Sequence, residues 1–357
     1  MAFTGQLNSN EIFSALYNMI ISVQAFGDNI AGTNETLADM FRVDGSMYGD
    51  QKLYVSTDVL KSVEWGKDAE SLNLLQTHRP PTPEVQAIEL DVFRQIALTV
   101  DEYMSKRAWG TEGAFSQFNN VLMGWIGDTK RVYDSTLMNT YIGTTKAAGA
   151  GQNITITIPA SDASGEEANR IFAQTIATAL ANLVVDLTDP SREFNDYGNL
   201  RSYNPKDLVI VWNSDFYNTI TKMDLPTIFH KDGLLEKFGG EYVLPAKYFG
   251  TPNVGLGEPE VARSLIEQDI GSNHVFPGEL IPSGYSAPAG TSYNVDNKIA
   301  FKVLHKNSVP FMSAFEVGTS FFNPKSLTEN HYLTFGHNTL EYLKNYPFIT
   351  ATCNEAP

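Results

Sequence analysis

Residues 53–65 read LYVSTDVLKSVEW, and residues 88–100 read IELDVFRQIALTV. Apolar and polar side chains alternate in both stretches, and a period of two is typical of an extended strand with one face prepared for burial. Each stretch would span about 40 Å, more than twice the length of an ordinary strand. The pattern predicts a long two-stranded ribbon. Its apolar phase holds Leu53, Val55, Thr57, Val59, Val63 and Trp65 in the first stretch, and Ile88, Leu90, Val92, Ile96, Leu98 and Val100 in the second.

A ribbon of this length exceeds what the sheet of a compact domain can cover, so we expect another copy of the chain to cover its apolar face. If each strand buried about 400 Å² on a neighbour, the gain would be about 10 kcal/mol for each strand before ordering costs. An aspartate at Val92 or Ile96 should then leave a soluble subunit that fails to assemble. The expected interface residues are Val55, Val59, Lys61, Val63, Trp65, Leu90, Val92, Ile96 and Leu98.

Lys61 stands out because it lies in the apolar phase, between Val59 and Val63. Its amine could meet a carboxylate or an amide of a neighbouring subunit. Two other interpretations stay open: the aliphatic stem lies along the strand while the amine reaches water, or the charge serves to prevent mispairing of an edge strand.

The rest of the chain alternates helical and extended patterns. A capping-box spacing at Asn8–Glu11 predicts a short amphipathic helix near the N-terminus. After Gly113 the period changes to about 3.6 and predicts a helix over 113–141. A second capping-box spacing, Ser164 to Glu167, predicts another helix, and Leu208–Trp212 is typical of a strand buried on both faces. Four β-rich segments follow, at residues 301–305, 314–322, 332–335 and 348–352.

These patterns indicate an α+β fold with four parts. Residues 1–50 form an N-terminal arm, and residues 51–109 form the ribbon with its proline-containing loop. Residues 110–150 and 301–357 provide a long helix and a β-rich return, and residues 151–300 form an inserted α/β unit.

Composition and charge narrow the class of function. The chain has 357 residues, of which 42% are hydrophobic, so a substantial core can form. With 41 acidic and 25 basic residues, the net charge is −16. Such a surface argues against tight nucleic-acid binding through phosphate contacts, although an acidic wall can still enclose DNA whose charge is neutralised by counterions. Residues 1–24 lack the basic leader and the small-residue cleavage site of a signal peptide, and the apolar runs are short, so we expect neither a signal peptide nor a membrane span.

Residues for catalysis or for cofactor and metal binding do not converge in this sequence. The phosphate-binding, dinucleotide-binding, nucleophile-elbow and zinc-helix motifs are absent. His331 and His337 would share one side of a strand but lie about 20 Å apart, too far to share a metal. Glu166 and Glu167 fit a helix N-terminus, and Cys353, the only cysteine, has no obvious base beside it. We therefore expect no enzyme activity, cofactor or metal.

The order of parts resembles that of tailed-bacteriophage major capsid proteins of the Hong Kong 97-type fold. Two phrases are similar to that family: QIALTVDEY at residues 95–103 and FEVGTSFFN at residues 315–323. The resemblance implies that the ribbon is the extended loop lying over an adjacent subunit. It also implies that the long helix and β return form a peripheral domain, and that residues 151–300 form an axial domain.

The resemblance also implies an assembly and a location. The chain would form hexamers and pentamers of an icosahedral head around double-stranded DNA, assembled in the host cytoplasm without membrane contact. A portal, a separate scaffolding protein and a decoration protein are the expected partners, and DNA would be enclosed without sequence-specific binding. Two alternatives remain open: a cellular encapsulin-like shell protein, and an α/β enzyme whose catalytic residues lie in the insert.

Overall fold

A computed structural model of the chain describes residues 37–44, 51–62, 77, 79–101, 112–143, 152–159, 165–221, 238–252, 268–270, 273–275 and 293–356. The helices in these ranges are α1 (Leu37–Met40), α2 (Glu112–Gly143), α3 (Glu166–Thr188) and α4 (Ser214–Thr221). The strands are β1 (Arg42–Asp44), β2 (Gln51–Ser56), β3 (Glu84–Glu89), β4 (Val92–Asp101), β5 (Asn153–Ile156), β6 (Leu208–Asn213), β7 (Gly240–Leu244), β8 (Gly250–Pro252), β9 (Gln268–Ile270), β10 (Asn273–Val275), β11 (Tyr293–Val295), β12 (Ile299–His305), β13 (Phe311–Asn323), β14 (Thr328–His337) and β15 (Phe348–Cys353).

The predicted ribbon is present but shorter than expected. β2 and β3 pair antiparallel from Gln51 opposite Glu89 to Ser56 opposite Glu84. The second alternating stretch is not one strand, because it breaks at Leu90–Asp91. Beyond that break, β4 pairs with β14 rather than with the first stretch. The prediction of a single ribbon over 53–65 and 88–100 was therefore wrong in its pairing.

β4, the part of the second stretch beyond the break, belongs to a four-stranded sheet ordered β1-β13-β14-β4. β4 and β14 pair along their whole length, from Thr328 opposite Asp101 to His337 opposite Val92. The sheet lies against α2, where the Tyr133 ring contacts Phe335 edge-on, with the ring centroids 5.6 Å apart. The 32-residue helix α2 confirms the prediction of a helix over 113–141.

A five-stranded mixed sheet, ordered β5-β15-β12-β6-β7, forms the main core. Its strand β6, which lies between β12 and β7, is buried at all six positions, as the sequence predicted. Leu208, Ile210 and Trp212 pack toward α3 and α4 on one face. Val209 and Val211 face the other cluster, which includes the C-terminal turns of α2. A continuous apolar run is therefore required here, because helices cover both faces.

This sheet changes two expectations. β12 and β15 belong to the return segment, yet they pair with β6 and β5 of the insert. The expected boundary between residues 300 and 301 thus falls inside β12. Helix α3 is also capped differently: it begins at Glu166 after Gly165 (φ 69°), with no side-chain cap. Ser164 and the N-terminal helix expected after Asn8 lie outside the described residues.

Candidate assembly surface

The ribbon has one face turned toward its own subunit and one turned away. Ser56 of β2 and Ile88 of β3 are buried on the inner face. On the outer face Leu53 stands opposite Ala87, and Val55 opposite Val85. Leu53, Val55 and Val85 are 62%, 64% and 55% exposed. Four adjacent apolar side chains are thus presented to solvent, because Ala87 is exposed as well.

The inner face is fixed to the subunit by an apolar cluster and by an amide. Ile88 and Leu90 pack with Met312 and Leu343. The Gln86 side chain donates to the carbonyl of Tyr342 (3.0 Å) and accepts from the amide of Lys344 (3.1 Å). Leu90 is only 3% exposed. Its expected role as an interface residue is therefore wrong, since its own subunit already covers it.

Ser56 is the centre of a polar network at the end of β2. Its hydroxyl donates to Asn345 Oδ1 (2.6 Å) and accepts from Asn199 Nδ2 (3.0 Å) and Arg201 Nη2 (3.2 Å). Arg201 Nη2 also donates to the carbonyl of Thr57 (2.7 Å), and its Nε donates to Asn345 Oδ1 (3.2 Å). The end of the strand is therefore held by two separate segments of the body.

Asp58 provides a second attachment just beyond the ladder. Its carboxylate accepts from the amide of Leu200 (3.0 Å) and from Arg192 Nη1 (2.8 Å). The amide of Val59 also donates to it, at 2.9 Å. The Leu200 amide and the Arg192 guanidinium, in that order, lower the pKa of Asp58 to about 2.

The first stretch carries further exposed apolar side chains after the ladder ends. Val59 and Leu60 are exposed, and Leu60 is 72% exposed. Lys61 is exposed too, so its side chain is not inserted into the core of its own subunit. Val63 and Trp65 lie outside the described residues. We call Leu53, Val55, Val59, Leu60, Val85 and Ala87 the outer ribbon surface.

The expected interface residues on β4 occupy a different environment. Val92, Ile96 and Leu98 lie at alternate positions of β4, with Arg94 between the first two, so the four side chains share one face. The Arg94 guanidinium carbon lies 5.7 Å from the centre of the Tyr133 ring of α2. These three apolar side chains are half-buried on the face that meets α2. Their assignment to a subunit interface stays a prediction, although this row also faces the long helix of the same subunit.

A second set of exposed apolar side chains was not anticipated. It lies at the far end of the β13–β14 hairpin and comprises Val317, Phe321, Phe322 and Leu327. Phe321 and Phe322 are consecutive in a strand and so point to opposite faces. The consecutive aromatic pair in the sequence could have predicted this exposure. Its two rings point to opposite faces of the sheet, and a layer packed on one face cannot cover both.

A family model for Phi29-like phage major capsid proteins matches residues 3–351, nearly the whole chain. The chain belongs to this family. It is a structural protein of the phage head shell, located in the virion and assembled from copies of itself. No curated protein sequence matches it.

Solved structures agree with the fold of this Phi29-like capsid protein. A chain in the structure of the head fiber and inner core protein gp22 of native bacteriophage P68 is 10% identical, with 93% of this chain and 87% of that chain covered and a TM-score of 0.63. A chain in the capsid structure of Staphylococcus phage Andhra is 11% identical, with coverages of 100% and 94% and a TM-score of 0.58. At such identities the likeness concerns the fold alone.

Reactive groups of the capsid protein lie mostly in structural settings. Burial raises the pKa of the Cys353 thiol to about 12, so the nucleophilic thiolate is suppressed. His337 is buried, and its Nε2 lies 2.9 Å from the Tyr133 hydroxyl. His331 instead lies 3.8 Å from the Glu329 carboxylate. Within the described ranges, no group of three or more His, Cys, Asp or Glu side chains could hold a metal.

Helix α3 of the capsid protein also has a structural role. No membrane span was expected from the sequence, but among the described residues this is the one helix long and apolar enough to cross a membrane. One side of it contributes seven buried side chains to the core of the five-stranded sheet: Phe172, Ala173, Ile176, Leu180, Leu183, Val184 and Leu187. Packing against that sheet accounts for its apolar character.

Proposed function

We propose that this capsid protein forms hexamers and pentamers of an icosahedral head, and that the outer ribbon surface is one of the contacts between subunits. The observation that carries the proposal is the row of Leu53, Val55, Val85 and Ala87. Their own subunit leaves these side chains exposed, although the opposite face of the same two strands is buried. A monomer gains nothing from such a face, whereas a neighbouring copy would bury it.

The geometry of attachment suits a contact of this kind. The inner face is fixed through Ile88, Gln86 and Ser56, so the outer face is presented by a supported strand pair. Less conformational entropy is then lost on contact than if the ribbon had to be ordered first. A contact between different surfaces of identical subunits closes into rings, and rings of two sizes combine into a closed shell.

The domain assignment and the Hong Kong 97-type architecture remain part of this proposal. The ribbon and its loop (51–109) would be the extended loop, and α2 with the four-stranded sheet would form the peripheral domain. The insert (151–300) would be the axial domain. Because β12 and β15 pair with β5 and β6, the axial unit would also include those two strands.

The net charge of −16 fits a container for double-stranded DNA. An acidic wall does not bind the packaged polymer tightly, and counterions neutralise the packed phosphates. We expect no sequence-specific DNA contact, no membrane contact and no enzyme activity. A portal, a separate scaffolding protein and a decoration protein would complete the head in the host cytoplasm.

Electron microscopy of particles tests the subunit contact. The full chain is co-expressed with the other head genes of its phage, as wild type, as Val55→Asp and as Val185→Asp. Val185 is as exposed as Val55, at 65%, but belongs to helix α3 and not to the ribbon. We expect shells from wild type and Val185→Asp, and folded, unassembled subunits from Val55→Asp. Normal shells from Val55→Asp would exclude the outer ribbon surface as a contact.

A further inference from the structure

The loop formed by residues 191–201, which follows α3, is closed and rigidly held. Ser191 and Arg201 exchange two backbone hydrogen bonds, each of 2.9 Å. The Asn195 side chain donates to the carbonyl of Asn199 (2.7 Å) and accepts from its amide (2.9 Å). Gly198 takes a φ of 66°, which allows the chain to turn between these two residues.

The 191–201 loop is also anchored in the main core. Phe194 within it and Tyr203 just after it are buried in the cluster that covers the five-stranded sheet. The amide of Tyr203 donates to the carbonyl of Leu187 in α3, at 2.8 Å. The loop is therefore a fixed platform, because both ends and its interior are attached to the body.

This platform contacts the ribbon at the point where its ladder stops. β2 ends at Ser56, and residues 57–62 have no strand partner. The first two of these residues are nevertheless held: Arg201 donates to the carbonyl of Thr57, and Leu200 and Arg192 donate to the carboxylate of Asp58. Without these bonds, the β2–β3 ladder would not constrain the direction of the chain beyond Ser56.

β3, the other strand of the ribbon, is attached to a different part of the body than the 191–201 loop. Gln86 of β3 bonds to Tyr342 and Lys344. Asp91, after β3, accepts from the amide and the hydroxyl of Thr339, both at 2.6 Å. Loss of the 191–201 contacts would therefore leave the ribbon attached to the body while freeing only its outgoing strand.

We propose that Arg201, assisted by Arg192, is a positioning residue that fixes the direction in which the chain leaves the ribbon at Thr57 and Asp58. This inference rests on the proposed function, because the direction matters only if Val59, Leu60 and the residues beyond them meet a neighbour. The platform then sets the angle between adjacent subunits, and thereby the curvature of the shell.

The chemistry of Arg201 suits this role. Its planar guanidinium donates at fixed angles to three acceptors in two segments: Ser56 Oγ, Thr57 O and Asn345 Oδ1. A lysine amine at the same position carries the same charge but lacks that fork geometry. Arg201→Lys therefore separates the positioning geometry from the charge.

The first experiment measures the platform in unassembled subunits. Hydrogen exchange with mass spectrometry is followed for peptides covering residues 57–62 and 195–201, in wild type, Arg201→Ala, Arg201→Lys and Asp58→Asn. Arg170→Ala, an exposed arginine on α3, is the matched control. We expect the amides of Val59 and Leu200, which both donate to the Asp58 carboxylate, to exchange about tenfold faster or more in Arg201→Ala, and at the wild-type rate in the control. Unchanged exchange would overturn the proposed role of Arg201.

The second experiment examines particles from the same variants, co-expressed with the other head genes. We expect Arg201→Ala and Arg201→Lys to give open sheets or misshapen shells, not unassembled subunits. Normal shells from both would overturn the inference even if exchange increased.

If Arg201→Ala does not fold, Asp58→Asn, which keeps the side-chain size, provides the same two measurements. Val55→Asp separates the proposed subunit contact from the proposed role of Arg201. If Val55→Asp assembles normally, the outer ribbon surface is not a contact, and the exchange data still show whether Arg201 holds residues 57 and 58.

Discussion

Leu53 and Ile88 lie in adjacent residue pairs of the β2–β3 ribbon, yet they point to opposite faces of it. Leu53 stands opposite Ala87, and Ile88 stands opposite Lys52. Leu53 is 62% exposed, whereas Ile88 is 2% exposed and packs against Met312 and Leu343. Two similar side chains about one residue pair apart therefore have different environments: Ile88 is part of the core of the subunit, and Leu53 is exposed on the face that we propose meets a neighbour.

Truncation of these two residues should separate stability from assembly. Ile88→Ala should lower the free energy of unfolding by about 2–5 kcal/mol, because it removes buried methyl groups and leaves a cavity. Leu53→Ala should change it by less than about 0.5 kcal/mol, as for other exposed positions. Urea unfolding of unassembled subunits measures both. Equal losses would contradict the assignment of the two faces.

A polar substitution on β4 should act on the subunit and not on assembly alone. Ile96 is half-buried on the face that meets α2, so Ile96→Asp places a charge between the sheet and the helix. We expect a lower urea midpoint and a reduced yield of folded subunits. Ala97→Asp, on the opposite and exposed face of the same strand, is the control and should keep the wild-type midpoint. A fully stable Ile96→Asp subunit that failed to assemble would restore the expectation from sequence.

Local periodicity predicted the elements whose environment is uniform. The stripe after Gly113 gave α2 to within two residues at each end, because one face of a long helix packs along its length. The run Leu208–Trp212 predicted a strand buried on both faces, which β6 confirms. In both cases the neighbouring side chains of the same element share one kind of environment, so a local pattern is sufficient.

The sequence did not predict in the same way which strands pair or which face of the ribbon meets the body of the subunit. A period of two identifies which residues share a face, but it does not identify the partner strand or the side on which the body lies. The second stretch keeps its phase through Leu90 and Asp91, and yet the chain changes partner there, where Asp91 bonds to Thr339. That partner lies 248 residues away in sequence, so no local signal marks the break.

A glycine at the end of α2 should be essential for packing. A Cβ built on Gly143 would lie 1.9 Å from the carbonyl oxygen of Tyr248, so Gly143→Ala forces the backbones apart. We expect a loss of about 1–3 kcal/mol or more in the free energy of unfolding. Gly124, in the same helix, has nothing within 4 Å of the added carbon. Gly124→Ala should therefore stabilise by about 0.5–1 kcal/mol, as expected for an exposed helical site. If both variants shifted the urea midpoint alike, the close contact at Tyr248 would be ruled out.

The attachment at Asp58 should weaken in acid with a defined sign. The pKa of this carboxyl falls from its ordinary value of 3.8 to about 2 in the folded subunit, chiefly because the Leu200 amide and the Arg192 guanidinium stabilise its ionised form. A lowered pKa means that the ionised carboxylate contributes fully above pH about 4 and that this contribution is lost as the pH falls toward 2. Asp58→Asn lacks this titration. The difference in urea midpoint between wild type and Asp58→Asn should therefore be constant from pH 7 to pH 5 and should shrink from pH 4 to pH 3. A difference that widened on acidification would mean that folding raises the pKa of Asp58, which is incompatible with donors at 2.8 and 3.0 Å from its oxygens.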